Sequence, residues 1–237
     1  LIRLLTNQTA DLLAGLQAPE ADDAVLLFER ILAGGNDGER PLLADYAGRA
    51  DAGENYKTGL RAFEDIEDIS IVAAPGATFG YENGQDEEAQ ALINLLLNHC
   101  RNMRYRVAVI DCGDAQSVAQ VRAMRARFDS NYAAFHYPWV IVRDPITRQN
   151  LALPPSGFVA GIYARNDINR GVWKAPANEV VGSAIKFKLM LNKGQQDVLN
   201  PEGINCFRYF AGRGMRLWGA RTMSSDPEWK YVNVRRY

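Results

Sequence analysis

Asp111, His136 and Ser156 follow one another in an order used by one class of convergent nucleophilic triad, in which a carboxylate orients an imidazole and the imidazole takes the hydroxyl proton. Order alone is a weak constraint. His136 lies between Phe135 and Tyr137 in an apolar run, where a hydrogen-bonded structural histidine serves equally well, and Ser156 follows Pro154-Pro155, a context that suits a helix start. No glycine-flanked serine elbow supports a nucleophile. The only other histidine, His99, stands beside Cys100 with no second ligand at metal spacing, and Cys100, Cys112 and Cys206 form no close pair. Glu64-Asp65 and Glu67-Asp68 are adjacent carboxylates that point different ways; without the glycine and terminal glutamate of a calcium loop they read as a solvated acidic face. Gly34-Gly35-Asn36-Asp37-Gly38 reads as a surface turn. Ala74-Pro75-Gly76-Ala77-Thr78 lacks the glycine spacing that brings a backbone to a pyrophosphate, and no phosphate-binding Gly-x-x-x-x-Gly-Lys stretch exists. No catalytic, cofactor-binding or metal-ligating residue is therefore assigned, and no cofactor is expected.

Alternating strands and helices carry these residues. A polar helix-like stretch is expected over 54–64, then an apolar run from Ile69 to Ala74 stopped by Pro75-Gly76. Over 86–103, Ala89, Leu92, Ile93, Leu96, Leu97 and Cys100 recur at three and four, with Asp86, Glu87 and Glu88 in the first turn where the helix dipole favours them. The strand at 106–111 is apolar on both pleat faces, as a central parallel strand must be. Asp114 is positioned to cap a helix carrying Val118, Val121, Met124 and Phe128. One strand is expected over 135–143, and a helix through Val159, Ile162 and Tyr163 after Pro154-Pro155. This order predicts an α/β fold with a mostly parallel sheet sandwiched by helices. After 171–178 the texture changes: 185–199 is mixed, 204–210 and 215–220 read as short strands, and Gly212, Gly214 and Gly219 supply turns, which suggests the start of an α+β subregion.

Composition narrows the function classes. The chain of 237 residues is 47% hydrophobic, enough for one sizeable core or two modest ones, and its net charge of -1 gives no general attraction for nucleic acid. Its longest apolar runs, such as 107–110 and 139–142, are far shorter than the roughly 20 residues of a membrane span, so no membrane insertion is expected. Residue 1 is Leu, and 1–16 lacks the pattern of a secretory signal; the chain reads as a piece of a longer protein. Charge is uneven, with acids dominating 37–68 and arginines 208–236. Trp173, Phe207, Tyr209, Phe210, Trp218, Trp229 and Tyr231 enrich the last third in the aromatic residues that protein contacts prefer.

The segment Gly171-Val172-Trp173-Lys174-Ala175-Pro176-Ala177-Asn178 resembles the hallmark of contractile tail sheath proteins. Leu199-Asn200-Pro201-Glu202-Gly203-Ile204-Asn205, Leu217-Trp218-Gly219-Ala220-Arg221-Thr222 and the stretch 225–236 resemble further family segments, and 155–161 fits the helix before the hallmark. The resemblance covers about 28–237 and is strongest from 154. It implies a subtilisin-like α/β layer without protease activity. It also implies a structural subunit that joins other copies in a helical sleeve, with a tube protein inside and baseplate and terminator proteins at the ends. Terminal arms would add strands to neighbouring sheets. The implied location is a virion tail or tail-like particle, assembled in the bacterial cytoplasm. The expected organisation is an N-terminal extension at 1–30, the α/β layer at 31–178 and the opening of a C-terminal sheath region at 179–237. A subtilisin-like serine hydrolase and a ligand-binding α/β module stand as alternatives. Under the sheath reading, the region of Arg213, Arg216, Arg221, Arg235 and Arg236 is expected to meet an acidic face of an adjacent copy, in part 64–68. Gly171 and Gly219 are expected to serve backbone geometry.

Overall fold

The apolar run 107–110 becomes β4 (Val107–Asp111), whose five residues are all buried in a computed structural model that describes Gly35, 38–51, Gly53 and 56–236. The extension at 1–30 and most of the glycine turn at 34–38 lie outside the described residues. β4 runs parallel to β3 (Ile71–Ala73) on one side and to β5 (Ala133–Tyr137) on the other. Beyond β5 comes β10 (Ile204–Phe210), also parallel, and then the antiparallel β11 (Gly214–Trp218) and β8 (Glu179–Val180). The six-stranded sheet has the order β3-β4-β5-β10-β11-β8, so three strands from 179–218 extend the sheet begun upstream. Its rims are short: β3 has three residues and β8 two. The fold is mixed α/β.

Strand parity sorts the core. Ala108 and Ile110, Phe135 and Tyr137, and Ile204 and Cys206 share one apolar cluster with Ala89, Ile93 and Leu96 of α2 (Asp86–Met103), Val121 and Met124 of α3 (Val118–Arg125) and Leu199 of α5 (Lys193–Leu199). Val107, Val109, Ala134, Phe207 and Leu217 point the other way, into a second cluster with Val159, Ile162 and Tyr163 of α4 (Pro155–Asn169) and Val232 of α6 (Val232–Arg236). Each fully buried aliphatic or aromatic side chain contributes roughly 1.5–3 kcal/mol.

Several local expectations change. The 54–64 stretch turns at Thr58-Gly59: β2 (Tyr56–Lys57) pairs with β1 (Ala50–Asp51) after α1 (Leu43–Ala47), and a 3₁₀ turn spans Gly59–Phe63. Asp114 does not cap α3. Ser117 does, its hydroxyl accepting from the Gln120 amide while the Gln120 side chain accepts from the Ser117 amide, a reciprocal box. Asp114 instead accepts from the Gly80 amide at 3.0 Å and faces Lys188 at 3.9 Å. The single strand expected over 135–143 is two. Pro138, with no amide hydrogen to give a ladder, ends β5, and the chain enters a separate antiparallel sheet as β6 (Val140–Arg143), between β7 (Asn150–Leu153) and β9 (Lys186–Phe187).

Candidate functional site

Asp111, His136 and Ser156 do come together, for a reason visible in the register. Asp111 and His136 are partners across β4 and β5, so both side chains leave the same sheet face, and α4 starts on that face with Ser156 in its first turn. All three are buried. Their bonding is not that of a triad. The Ser156 hydroxyl donates to Asp111 Oδ2 at 2.7 Å and the Ser156 amide to Oδ1 at 2.6 Å, so the carboxylate serves as the cap of α4. The His136 ring turns to Tyr163, with Nε2 3.5 Å from the hydroxyl, and its Nδ1 has no partner among the described residues. Burial pushes the Asp111 carboxyl up to about 7 against the opposing pull of the two Ser156 hydrogen bonds, and it drives His136 down to about 3. A buried serine bonded to a carboxyl rather than to an imidazole has no general base in place.

His99 has a structural partner. Its Nε2 lies 2.8 Å from Arg106 Nη1, and burial followed by the Arg106 charge lowers its pKa. Arg106, itself buried, also grips the backbone of the acidic stretch through the carbonyls of Phe63, at 2.6 Å, Ile66 and Ile69, at 3.1 Å. Glu64, Asp65, Ile66, Glu67 and Asp68 are thereby held on an exposed loop, with Lys57 beside Asp65 at 2.7 Å and Glu64 at 3.7 Å.

The arginines near the end are mostly engaged within the chain. Arg236 pairs with Asp167, and Arg235 lies 3.7 Å over the Tyr132 ring while donating to the Arg104 carbonyl at 2.8 Å. Arg216 donates to the carbonyls of Arg213 and Asn178. These contacts redirect the expected intermolecular role of Arg216, Arg235 and Arg236 to the subunit's own fold.

The segments that carried the resemblance converge. The Asn178 amide donates to the Leu217 carbonyl at 2.8 Å, and buried Asn205 donates to the carbonyls of Phe135 and Arg221 while accepting from the Arg221 amide. Thr222 joins the last segment, its amide to the Lys230 carbonyl at 3.0 Å and its hydroxyl to that of Trp229 at 2.6 Å. Gly219 presses against Asn205; a Cβ there would stand 2.7 Å from Asn205 Oδ1 and 3.0 Å from its Cα. Gly171 has φ of +102° and lies under the Trp173 ring, 2.6 Å from where a Cβ would fall. Around this network is a cavity of about 460 Å³ whose walls come from all four segments: Ala175, Ala177 and Asn178; Asn200 and Pro201; Trp218, Gly219, Ala220 and Arg221; and Tyr231. Gln196 and Asp197 of α5 complete it; reading the sequence missed the buried Gln196 because a polar helix position carries no signal of burial.

Fold and site together define a mixed α/β packing module whose recognisable segments build a joint between loops. The phage tail sheath protein central domain matches residues 50–223, and the chain belongs to that family. It is 29% identical to the tail sheath protein of Burkholderia phage BcepMu over 197 residues, covering 76% of this chain and 39% of that protein. It is 25% identical to the tail sheath protein of Escherichia phage P2, covering 95% of this chain and 57% of the relative. Among solved structures, the contracted helical sheath of the anti-feeding prophage aligns with a TM-score of 0.57 at 32% identity, over 75% of this chain and 46% of that one. The contracted sheath complex of an extracellular contractile injection system, PVC, aligns with a TM-score of 0.58 at 27% identity, over 76% and 48%. The chain thus spans about half the length of the relatives it matches.

Proposed function

We propose that this chain is the core of a contractile sheath subunit, which stacks with its own copies into a helical sleeve around a tube and shortens to drive that tube through a cell envelope. The observation that carries the reading is the meeting of the four family segments in one interlocked joint, within a chain that matches the sheath central domain over 50–223. The role is structural, and the Asp111–Ser156 pair supports this because it spends its hydrogen-bonding capacity on the start of α4. In this reading the layer begun at 31–178 is an inert subtilisin-like scaffold whose sheet the strands of 179–218 complete, and 179–237 leads on into the rest of the subunit. Tube, baseplate and terminator proteins are the further partners, and the particle is a phage tail or a tail-like device assembled in the bacterial cytoplasm. Contraction needs no local fuel: an extended assembly held in a metastable state moves to one with better contacts between rigid subunits once released.

Electron microscopy of the sheath protein at its natural full length tests this. Striated tubular sleeves are expected. A native complex in which the protein never touches its own kind, or catalytic turnover lost with one polar side chain, would overturn the reading.

A further inference from the structure

Asn83-Gly84 is the one Asn-Gly pair in the chain, and the fold leaves it open. Asn83 is exposed at the end of a 3₁₀ turn (Tyr81–Asn83), a form of backbone held less firmly than an α-helix, and its side chain has no hydrogen-bond partner among the described residues. The Gly84 amide likewise donates to no acceptor among them. Gly84 has φ of +87°, and beyond its chain neighbours no atom lies within 4 Å of where a Cβ would fall, so nothing crowds that side of the residue. Other asparagines are fixed or shielded. Asn192 caps α5, Asn205 is buried within bonds to three backbone groups, and Asn200 is followed by Pro201, which has no amide hydrogen.

We propose that Asn83 is a site of self-modification, which converts to aspartate and isoaspartate through a cyclic imide. The Gly84 nitrogen gives its proton to solvent base and attacks Asn83 Cγ; the bond from Cγ to the side-chain nitrogen breaks, and that nitrogen takes up a proton and leaves as ammonia. Water then opens the ring. Cleavage of the new bond to Cγ gives aspartate, whereas cleavage of the original peptide bond gives isoaspartate, with the main chain routed through Cγ. Only water is consumed. Either product adds one negative charge beside Glu82, and isoaspartate also lengthens the backbone by one carbon. That extra length matters because the Asn83 and Gln85 amides both donate to the Gly80 carbonyl, at 2.8 and 3.2 Å. A longer link between them breaks one of these bonds. Glu82, in the same turn, accepts from the side chains of Gln116 and Gln120, each at 2.8 Å, so the disturbance reaches the start of α3.

The test follows residue 83 by peptide mass spectrometry while the protein stands in neutral buffer made with heavy-oxygen water, one sample native and one in denaturant. Heavy-oxygen-labelled aspartate and isoaspartate are expected at 83 in both, with a native rate within about tenfold of the denatured one, since a surface turn opens at little cost. The isoaspartate fraction, separated by charge and by peptide retention, melts about 2–4 °C below the fresh protein. Asn83→Gln, whose longer side chain closes its ring far more slowly, keeps its amide over the same period and melts with the parent. Native conversion slowed beyond tenfold overturns the proposal, as does aspartate formed without isoaspartate, or conversion at other asparagines that matches residue 83. An isoaspartate fraction that melts with the fresh protein overturns the link to α3. None of these readings depends on sleeve formation, so the result is separate from the sheath reading.

Discussion

Asp111 and His136 are titratable groups held in the core with opposite consequences. The unfolded Asp111 carboxyl loses its proton near pH 4, whereas the folded one holds it to about pH 7; in between the folded state binds the extra proton, so this residue makes stability fall as pH rises. His136 reverses the sign. Its folded pKa of about 3 lies below the ordinary 6.5, so its contribution is present above pH 6.5 and is lost as pH falls towards 3. The two slopes oppose each other between about pH 4 and 6.5, and Asp111→Asn should uncover the histidine. Melting temperatures from pH 4 to 8 are expected to show the variant gaining on the parent as pH rises to about 7, then holding a constant advantage, each tenfold in proton affinity being worth about 1.4 kcal/mol. A gap independent of pH would show that Asp111 is not protonated in the fold. Ser156 should resist a serine-directed phosphonate because it is buried and bonded to Asp111, and Ser156→Ala, which keeps the amide bond to Oδ1, should lower stability by about 1–2 kcal/mol through the lost hydroxyl bond to the buried carboxyl. Gly219→Ala should be worse than its single methyl suggests, since the carbon would displace Asn205 from bonds to three backbone groups; a melting temperature within a degree of the parent would contradict this.

Elements were legible where a long periodic signal met no competing chemistry. α2 runs over Asp86–Met103 as its spacing predicts, because eighteen residues with one apolar face leave little choice. β4 was equally plain, since a strand buried on both faces writes itself as an unbroken apolar run. The reading failed where one residue outweighed its neighbours. Pro138 divides an apolar stretch between two sheets, and Ser117 wins the cap of α3 from Asp114 because its three-residue spacing to Gln120 closes a reciprocal box. The candidate site was half legible: its four segments could be quoted, but that they share one cavity depends on β10 lying beside β5, a long-range pairing that local pattern does not encode. The same limit misled the charge argument. The Arg236 side chain is only 7% exposed and faces the half-buried Asp167 on α4, so Arg236→Glu should set two partly buried carboxylates together and cost about 2–3 kcal/mol in chemical denaturation of the isolated subunit, before any assembly. Unchanged denaturation midpoints would return that arginine to the surface role its sequence suggested.

Across the described residues, two apolar clusters separated by one sheet make rigidity the main product of folding, as the proposed role in a contractile sleeve, whose subunits turn as bodies, requires. Cutting into the shared sheet should therefore weaken everything at once: Phe135→Ala, at a fully buried position on its central part, is expected to cost about 3–5 kcal/mol and to shift helix and aromatic spectroscopic signals in a single coincident transition. Separate transitions for the segments before and after 178 would show two bodies instead of one. The brevity of the rim strands carries a further consequence. With only three residues at one margin of the six-stranded sheet and two at the other among the described residues, a stray polypeptide laid alongside that sheet finds few open amides to hold it, which works against edge-to-edge sticking into disordered fibres.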